Sequence, residues 1–278
     1  MPDFSQHALT ALRAAGAAGT IQRLLLGKTR VDYKGPQDPV TEADRSCENA
    51  IVGILHEAFP SHAFVGEEGG RRGNADYTWL IDPLDGTHNY AHAFPWFAAS
   101  IALRRGDEVV CGVILNTMLR EIYVAERGAG AYAAPVETPY EDTDWTRIRT
   151  WRRMRVSPID RLEDATLCTG FRHPIAPQWL NLDHFTNLLA RAARVREIGS
   201  AALALAAVAQ GQTEGYWEIG PHEWDFAAGM LLITEAGGRT TDLRGRHAGP
   251  DRGQLLATNG VIHEQVVAVL AQGRSAME

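Results

Sequence analysis

Apolar positions recur on a helical period over residues 4–26, with Leu9, Leu12, Ile21 and Leu25 in phase, and predict an amphipathic helix. Lys34-Gly35-Pro36-Gln37-Asp38-Pro39 then reads as a loop. Residues 41–59 form a second helical pattern, opened by Thr41-Glu42-Ala43-Asp44, which matches a capping box, and closed by Pro60-Ser61-His62. Residues 63–66 read as a short strand leaving through Glu67-Glu68-Gly69-Gly70. Trp79-Leu80-Ile81 reads as the end of a buried strand, with Asp82-Pro83-Leu84-Asp85-Gly86-Thr87 as a tight turn behind it. From about Phe97 to Tyr132 the period shortens to two. Residues 100–104, 109–116 and 122–125 predict an antiparallel sheet. Residues 135–151 are polar and aperiodic, a loop or surface insertion. Beyond them helical patterns at 178–191, 201–210, 225–236 and 261–272 are interspersed with strand patterns at 195–198, 215–218 and 255–257. The mixture predicts an α/β protein of stacked layers with at least two sheets.

Composition narrows the classes. The chain has 278 residues, 45% apolar and 22% charged, which suits one large or two small soluble domains. A net charge of −7 argues against a protein built mainly to bind nucleic acid. Cys47, Cys111 and Cys168 form no CxxC and no zinc spacing, and lone thiols suit a reducing compartment. Arg13 and Arg23 interrupt the N-terminal apolar stretch, and no apolar run reaches bilayer length, so the expectation is a cytoplasmic protein without a membrane partner.

The chemistry centres on Asp82 and Asp85. Two carboxylates with Pro83, Gly86 and Thr87 beside them suit a divalent cation and a phosphate held together; the same residues also suit an ordinary surface turn. Other acids fall just past strands or at helix starts: Glu67, Glu68, Asp44 and Asp225. Each has a plain structural reading, Asp44 as a cap and Asp225 as an acid at a positive helix end. Together they recur where ligands of open α/β sheets collect. If they converge, they raise one another's pKa and need cations to stay ionised. An oxygen-only donor set favours Mg²⁺ or Mn²⁺ over zinc, and two or three such ions point to phosphate-ester chemistry.

Three segments carry a family resemblance. They are Asp38-Pro39-Val40-Thr41-Glu42-Ala43-Asp44 with Phe64-Val65-Gly66-Glu67-Glu68, then Trp79-Leu80-Ile81-Asp82-Pro83-Leu84-Asp85-Gly86-Thr87-His88-Asn89-Tyr90, then Glu218-Ile219-Gly220-Pro221-His222-Glu223-Trp224-Asp225 with Thr234-Glu235-Ala236-Gly237-Gly238. Gly199-Ser200-Ala201-Ala202 is a smaller fourth. The chain resembles the inositol monophosphatase family of Mg²⁺-dependent, lithium-sensitive phosphatases. The resemblance implies an α-β-α-β-α sandwich, as in fructose-1,6-bisphosphatase. It also implies one catalytic domain over 1–278, with an α+β part to about 150 and an α/β part after it, and a homodimer.

It further implies site roles. Glu67, Asp82 and the Leu84 carbonyl resemble the ligands of one metal; Asp82, Asp85 and Asp225 those of a second; Glu67 with waters those of a weaker third. Gly86 and Thr87 correspond to phosphate-binding N–H donors. The Thr87 hydroxyl and Asp44 correspond to the pair that orients the attacking water, with Glu67 counted in the catalytic set. Lys34 matches a lysine near the metal waters. Glu218, Ala201 and Asp225 correspond to the substrate side, a carboxylate that accepts from hydroxyls suiting a polyol such as inositol. The implied reaction is Mg²⁺-dependent hydrolysis of myo-inositol monophosphate or a similar small phosphorylated polyol or sugar.

Competing substrates on the same site are fructose 1,6-bisphosphate, histidinol phosphate and 3′,5′-bisphosphonucleotides. Arg172 and His173 could hold a second anionic group for these. A non-catalytic regulatory binding protein is the alternative of another class, with the basic run Arg147, Arg149, Arg152, Arg153 and Arg155 as its support; a solvated face is the plainer reading of that run. Gly128-Ala129-Gly130 reads as a turn rather than a nucleotide loop, and His88 and His92 as packing residues rather than a metal pair.

Overall fold

The structure, a computed structural model, describes residues 3–28, 31–35, 38–137, 139–140, 143–146, 150–171, 181–247 and 253–273. Helix α1 (Gln6–Leu25) starts at Ser5, whose hydroxyl accepts the Ala8 N–H. Its buried stripe is made of Ala8, Ala11, Leu12, Ala14, Ala15 and Ala18. Of the four residues expected to form that stripe, Leu12 is buried, whereas Leu9, Ile21 and Leu25 are half-buried. Small side chains let the helix lie close to the sheet: a Cβ on Gly19 would stand 2.5 Å from Leu115.

Of the predicted loop at 34–39, residues 34–35 and 38–39 lie in an antiparallel pair, β1 (Val31–Gly35) and β2 (Asp38–Thr41), and residues 36–37 lie outside the described residues. The pairing partner, which local composition does not reveal, decides the strand. Helix α2 (Glu42–Ala58) opens with the predicted capping box.

Eight strands form the larger sheet, in the order β10 (Arg152–Arg153), β9 (Gly130–Pro135), β8 (Glu121–Glu126), β7 (Glu108–Asn116), β6 (Ala98–Arg105), β5 (Tyr77–Asp85), β3 (Ala63–Gly66) and β4 (Gly70–Arg72). β3 and β5 run parallel and the other neighbours antiparallel. The short α3 (Thr87–Ala91) follows β5. The smaller sheet has five strands, in the order β12 (Arg194–Glu197), β11 (Thr166–Thr169), β13 (Gly215–Ile219), β15 (Gln254–Thr258) and β14 (Arg239–Thr241). Strands β4, β10, β11 and β14, two to four residues each, are too short to carry a readable period.

The layers follow from which face each strand buries. Trp79, Ile81, Ile101, Val113 and Leu115 pack with α1 and α2 on one face of the larger sheet. Leu80, Ala102 and Ile114 point the other way, onto α5 (Ala201–Ala209) and α6 (Glu223–Glu235). The far side of α5 and α6 meets Cys168, Tyr216, Leu255 and Ala257 of the smaller sheet. Trp217, Ile219 and Leu256 face outward onto α4 (Leu182–Leu189) and α7 (His263–Leu270). The result is the expected α-β-α-β-α sandwich. Each large side chain buried this way contributes about 1.5–3 kcal/mol. Asp82 shares the parity of Leu80, and Glu218 that of Tyr216, so both carboxylates sit on faces turned toward the middle helical layer.

Two features singled out in the sequence are structural. Gly128-Ala129-Gly130 is a turn, and the N–H groups of Gly128 and Gly130 both donate to the Glu235 carboxylate at 2.8 Å. Arg152, Arg153 and Arg155 are exposed, with Arg152 bonded to Glu121 and Gln210. Charge on the edge strand β10 discourages further pairing there. Arg147 and Arg149 lie outside the described residues.

Candidate active site

β5 does not stop at Ile81. It runs through to Asp85, and its register against β6 slips between Asp82, opposite Ser100, and Asp85, opposite Ala98. The expected tight turn is thus a bulge with one extra residue, and the same Asp and Pro composition serves both. Pro83, having no N–H, costs no ladder bond there. Its carbonyl accepts the Gln22 amide at 2.9 Å, and the same amide reaches the Ala98 carbonyl at 3.3 Å. Gln22 is fully buried; its Oε1 accepts the Thr117 hydroxyl and its backbone carbonyl accepts the Tyr90 hydroxyl at 2.8 Å. The Leu84 N–H donates to Asp82 Oδ1 at 3.0 Å. Gly86 then turns the chain into α3 at φ +91°, and a Cβ there would stand 3.0 Å from the carbonyls of Gly199 and Trp96.

Asp44 divides its two oxygens. Oδ2 accepts the Thr41 N–H at 2.7 Å and the Thr41 hydroxyl at 2.6 Å, completing the cap of α2. Oδ1 lies 3.0 Å from the Thr87 hydroxyl, which lies equally far from the Leu84 carbonyl. One proton serves two acceptors, so the Thr87 oxygen keeps a lone pair for a further donor. Burial raises the Asp44 carboxyl pKa, the bonds from Thr41 and Thr87 pull it back, and Glu68 adds to the rise.

Asp82, Asp85, Asp225 and Glu67 share one field. Burial first, then the charges of Glu67, Asp85 and Asp225, push Asp82 well above the usual carboxylate range. Burial, then Glu218, Glu67 and Asp85, do the same to Asp225, whose Oδ2 caps α6 by accepting the His222 N–H at 2.7 Å. Asp85 rises to about 6 through burial, although the Ser200 hydroxyl and the N–H groups of Ala201 and Ala202, both at 3.1 Å, bond to it. The starts of α5 and α6 therefore both face the bulge of β5. Glu67 is half-buried, and its N–H donates to the Ile81 carbonyl at 3.2 Å. Among the described residues, no three His, Cys, Asp or Glu side chains are gathered tightly enough to hold an ion. Asp85 and Asp225 instead bond N–H groups at the starts of α5 and α6. The donor chemistry fits hard divalent cations: four carboxylates in one field and no Cys or His among them.

Glu218 is buried and accepts the Tyr216 hydroxyl. The Ala201 N–H serves Asp85, so Ala201 borders the bulge from the α5 side. His88 and His92 are exposed, with ring centroids 4.7 Å apart, so they pack against each other at the surface. Their alternative as an i,i+4 pair lacks a third ligand among the described residues. Lys34 lies in β1, but its side chain falls outside the described residues, as do Arg172 and His173. Sequence reasoning missed Gln22 and Tyr216, and placed Ser200 in a motif without giving it a role. Ser200 had a signal, as a Ser opening an apolar helix.

A family comparison covers nearly the whole chain. The Inositol monophosphatase family model matches residues 4–275. The chain belongs to that family. Membership makes it a hydrolase of the phosphatase class. It is 41% identical over 263 residues to the Nus factor SuhB of Pseudomonas aeruginosa, covering 90% of each chain. It is 39% identical over 261 residues to the inositol-1-monophosphatase of Mesorhizobium japonicum, covering 93% of this chain and 90% of that protein. Among solved structures, the extragenic suppressor protein suhB of Bartonella henselae superposes with a TM-score of 0.85 at 36% identity, over 97% of this chain and all of that one. An inositol monophosphatase from Anabaena (Nostoc) gives 0.82 at 36% identity, over 96% and 95%. No helix among the described residues is long and apolar enough to cross a membrane.

Proposed function

We propose that this phosphatase hydrolyses myo-inositol monophosphate or a similar polyol phosphate with the help of two or three Mg²⁺ ions, Mn²⁺ being a possible substitute. The observation that carries the reading is the shared field of Glu67, Asp82, Asp85 and Asp225 around the β5 bulge, with Glu218 in the same field. Glu67, Asp82 and the Leu84 carbonyl would hold one ion, and Asp82, Asp85 and Asp225 a second; Glu67 would share in a third. The ions would supply a water of lowered pKa and charge neutralisation for the leaving alkoxide.

The chain's own residues do the rest. Thr87, fixed by Asp44, offers its oxygen to the attacking water and aims it. Gly86 and Thr87 present N–H groups to the phosphate at the start of α3. Glu218 accepts from a substrate hydroxyl, and Ala201 borders the alcohol from the α5 side. Cytoplasmic location, a homodimer and inhibition by millimolar lithium belong to the same reading.

Metal-dependent phosphate release tests it, with myo-inositol monophosphate, fructose 1,6-bisphosphate, histidinol phosphate and a 3′,5′-bisphosphonucleotide as the panel. The expected outcome is Mg²⁺-dependent turnover, greatest on the inositol ester and suppressed by lithium. Preference for a bisphosphate would replace the substrate assignment, and release from none would favour the regulatory binding role.

A further inference from the structure

Tyr216 and Glu218 are two residues apart on β13, so strand alternation sets both side chains on the face turned toward α5 and α6. Tyr216 is 2% exposed, and its phenol donates to Glu218 Oε2. On the other side the carboxylate rests against Gly170. A Cβ there would stand 2.8 Å from Glu218 Oε1 and 2.9 Å from the Tyr216 oxygen. Gly170 is itself held in place. Asn181, 1% exposed, donates its amide to the Gly170 carbonyl at 3.0 Å and to Thr169 Oγ1 at 3.1 Å. The Thr169 hydroxyl donates to the Trp217 carbonyl at 2.7 Å, tying the end of β11 to β13 between Tyr216 and Glu218. Glu218 is thus framed by a phenol, a glycine backbone and a pinned strand end.

We propose that Tyr216 is a positioning residue for substrate selection: by donating to Glu218 it fixes that carboxylate as an acceptor, so that the site selects phosphate esters whose alcohol presents a hydroxyl to Glu218 and disfavours esters of simple alcohols. The inference rests on the reading of Glu218 as a hydroxyl acceptor given under Proposed function. An ionised carboxylate has acceptors only, and bonds to it are the strong ones. A phenol has one proton; given to Glu218, it is not offered to the substrate. A site built to bond a hydroxyl disfavours an analogue lacking it, because the carboxylate then gives up water without gaining the substrate hydroxyl in return.

The test compares the wild type, Tyr216→Phe and Glu218→Gln on myo-inositol monophosphate and on phenyl phosphate, whose alcohol carries no second hydroxyl. Tyr216→Phe is expected to raise KM for the inositol ester about tenfold with kcat nearly unchanged, and to leave both constants for phenyl phosphate unchanged. Gly170→Ala, whose Cβ would press on both the Glu218 carboxylate and the Tyr216 oxygen and so disturb their pairing, should give the same split and carries the test should Tyr216→Phe fold poorly. Equal losses on both substrates would overturn the positioning role. So would an unchanged KM in Tyr216→Phe alongside a raised one in Glu218→Gln, and in that case Glu218 keeps its part. An unchanged KM in Glu218→Gln overturns the parent reading and this proposal together.

Discussion

Asp242 lies in the turn after β14 and Asp82 at the bulge of β5, and each is 3% exposed. Around Asp242 the chain supplies what a buried charge needs. Arg244 and Arg246 donate their N–H groups to Oδ1 at 2.9 Å, and the Arg246 guanidinium bonds Oδ2 at 2.8 Å. Burial pushes this carboxyl up, but those donors and the Arg246 charge outweigh it, and the pKa falls below the ordinary value. Around Asp82 the chain supplies one N–H, from Leu84, and three further carboxylates. Low solvent exposure alone therefore does not mark a functional acid. What separates the two regions is that Asp82 lies deeper and that the protein itself provides the countercharge only at Asp242.

The largest break in this comparison comes from Asp82→Asn. Phosphate release should fall by about 10³-fold or more, while the metal-free protein melts at an unchanged or higher temperature because a repelling charge is gone. Asp242→Asn should show the converse: a loss of about 1–3 kcal/mol in denaturant titrations, with kcat and KM unchanged. An Asp82→Asn variant that stayed active, or was strongly destabilised without metal, would merge the two classes of acid.

A smaller effect sharpens the contrast through pH. An acid whose pKa is raised on folding holds its proton longer in the folded state, so its contribution weakens as pH rises above the unfolded value of about 3.9. In chelator, the melting temperature should fall as pH climbs above about 3.9 and through about 6, the value for Asp85, with Asp82 and Asp225, both raised, adding to the fall. Asp242, with its pKa lowered, contributes stability above about 3.9 that disappears as pH falls through its folded pKa. Added Mg²⁺ should raise the melting temperature by an increment that grows with pH; an increment independent of pH would count against ionisation of these carboxylates on binding.

The sequence was most legible where chemistry and local structure coincide. Thr41 to Asp44 names its cap by spacing, and Asp82, Asp85 and Asp225 stand out as acids at element ends. The bulge was not legible as such, because Pro83 and Leu84 suit a turn equally well and the slip exists only against β6. Gln22 was hidden because it occupies the buried stripe of α1 among alanines, where a polar residue breaks the pattern instead of announcing a role. Tyr216 read as an ordinary strand aromatic; its meaning comes from Glu218 and Gly170, the latter on another strand's exit. His88 and His92 read as packing because the solvent exposure of a five-residue helix has no signature in sequence.

The bonds around the β5 bulge have a consequence for how the molecule is made. Gln22 reaches Pro83 and Thr117 across 61 and 95 positions, and Ser200 reaches Asp85 across 115. Closures of that length are slow to form, since chain entropy is lost before the contact is gained. Helices α1 and α2 leave the ribosome early, yet the bulge of β5 does not gain its last partners until α5 and α6 have been synthesised and have docked. Catalytic competence therefore arrives late, with the second half of the polypeptide, and Mg²⁺ uptake during refolding would time the last closure rather than the first collapse.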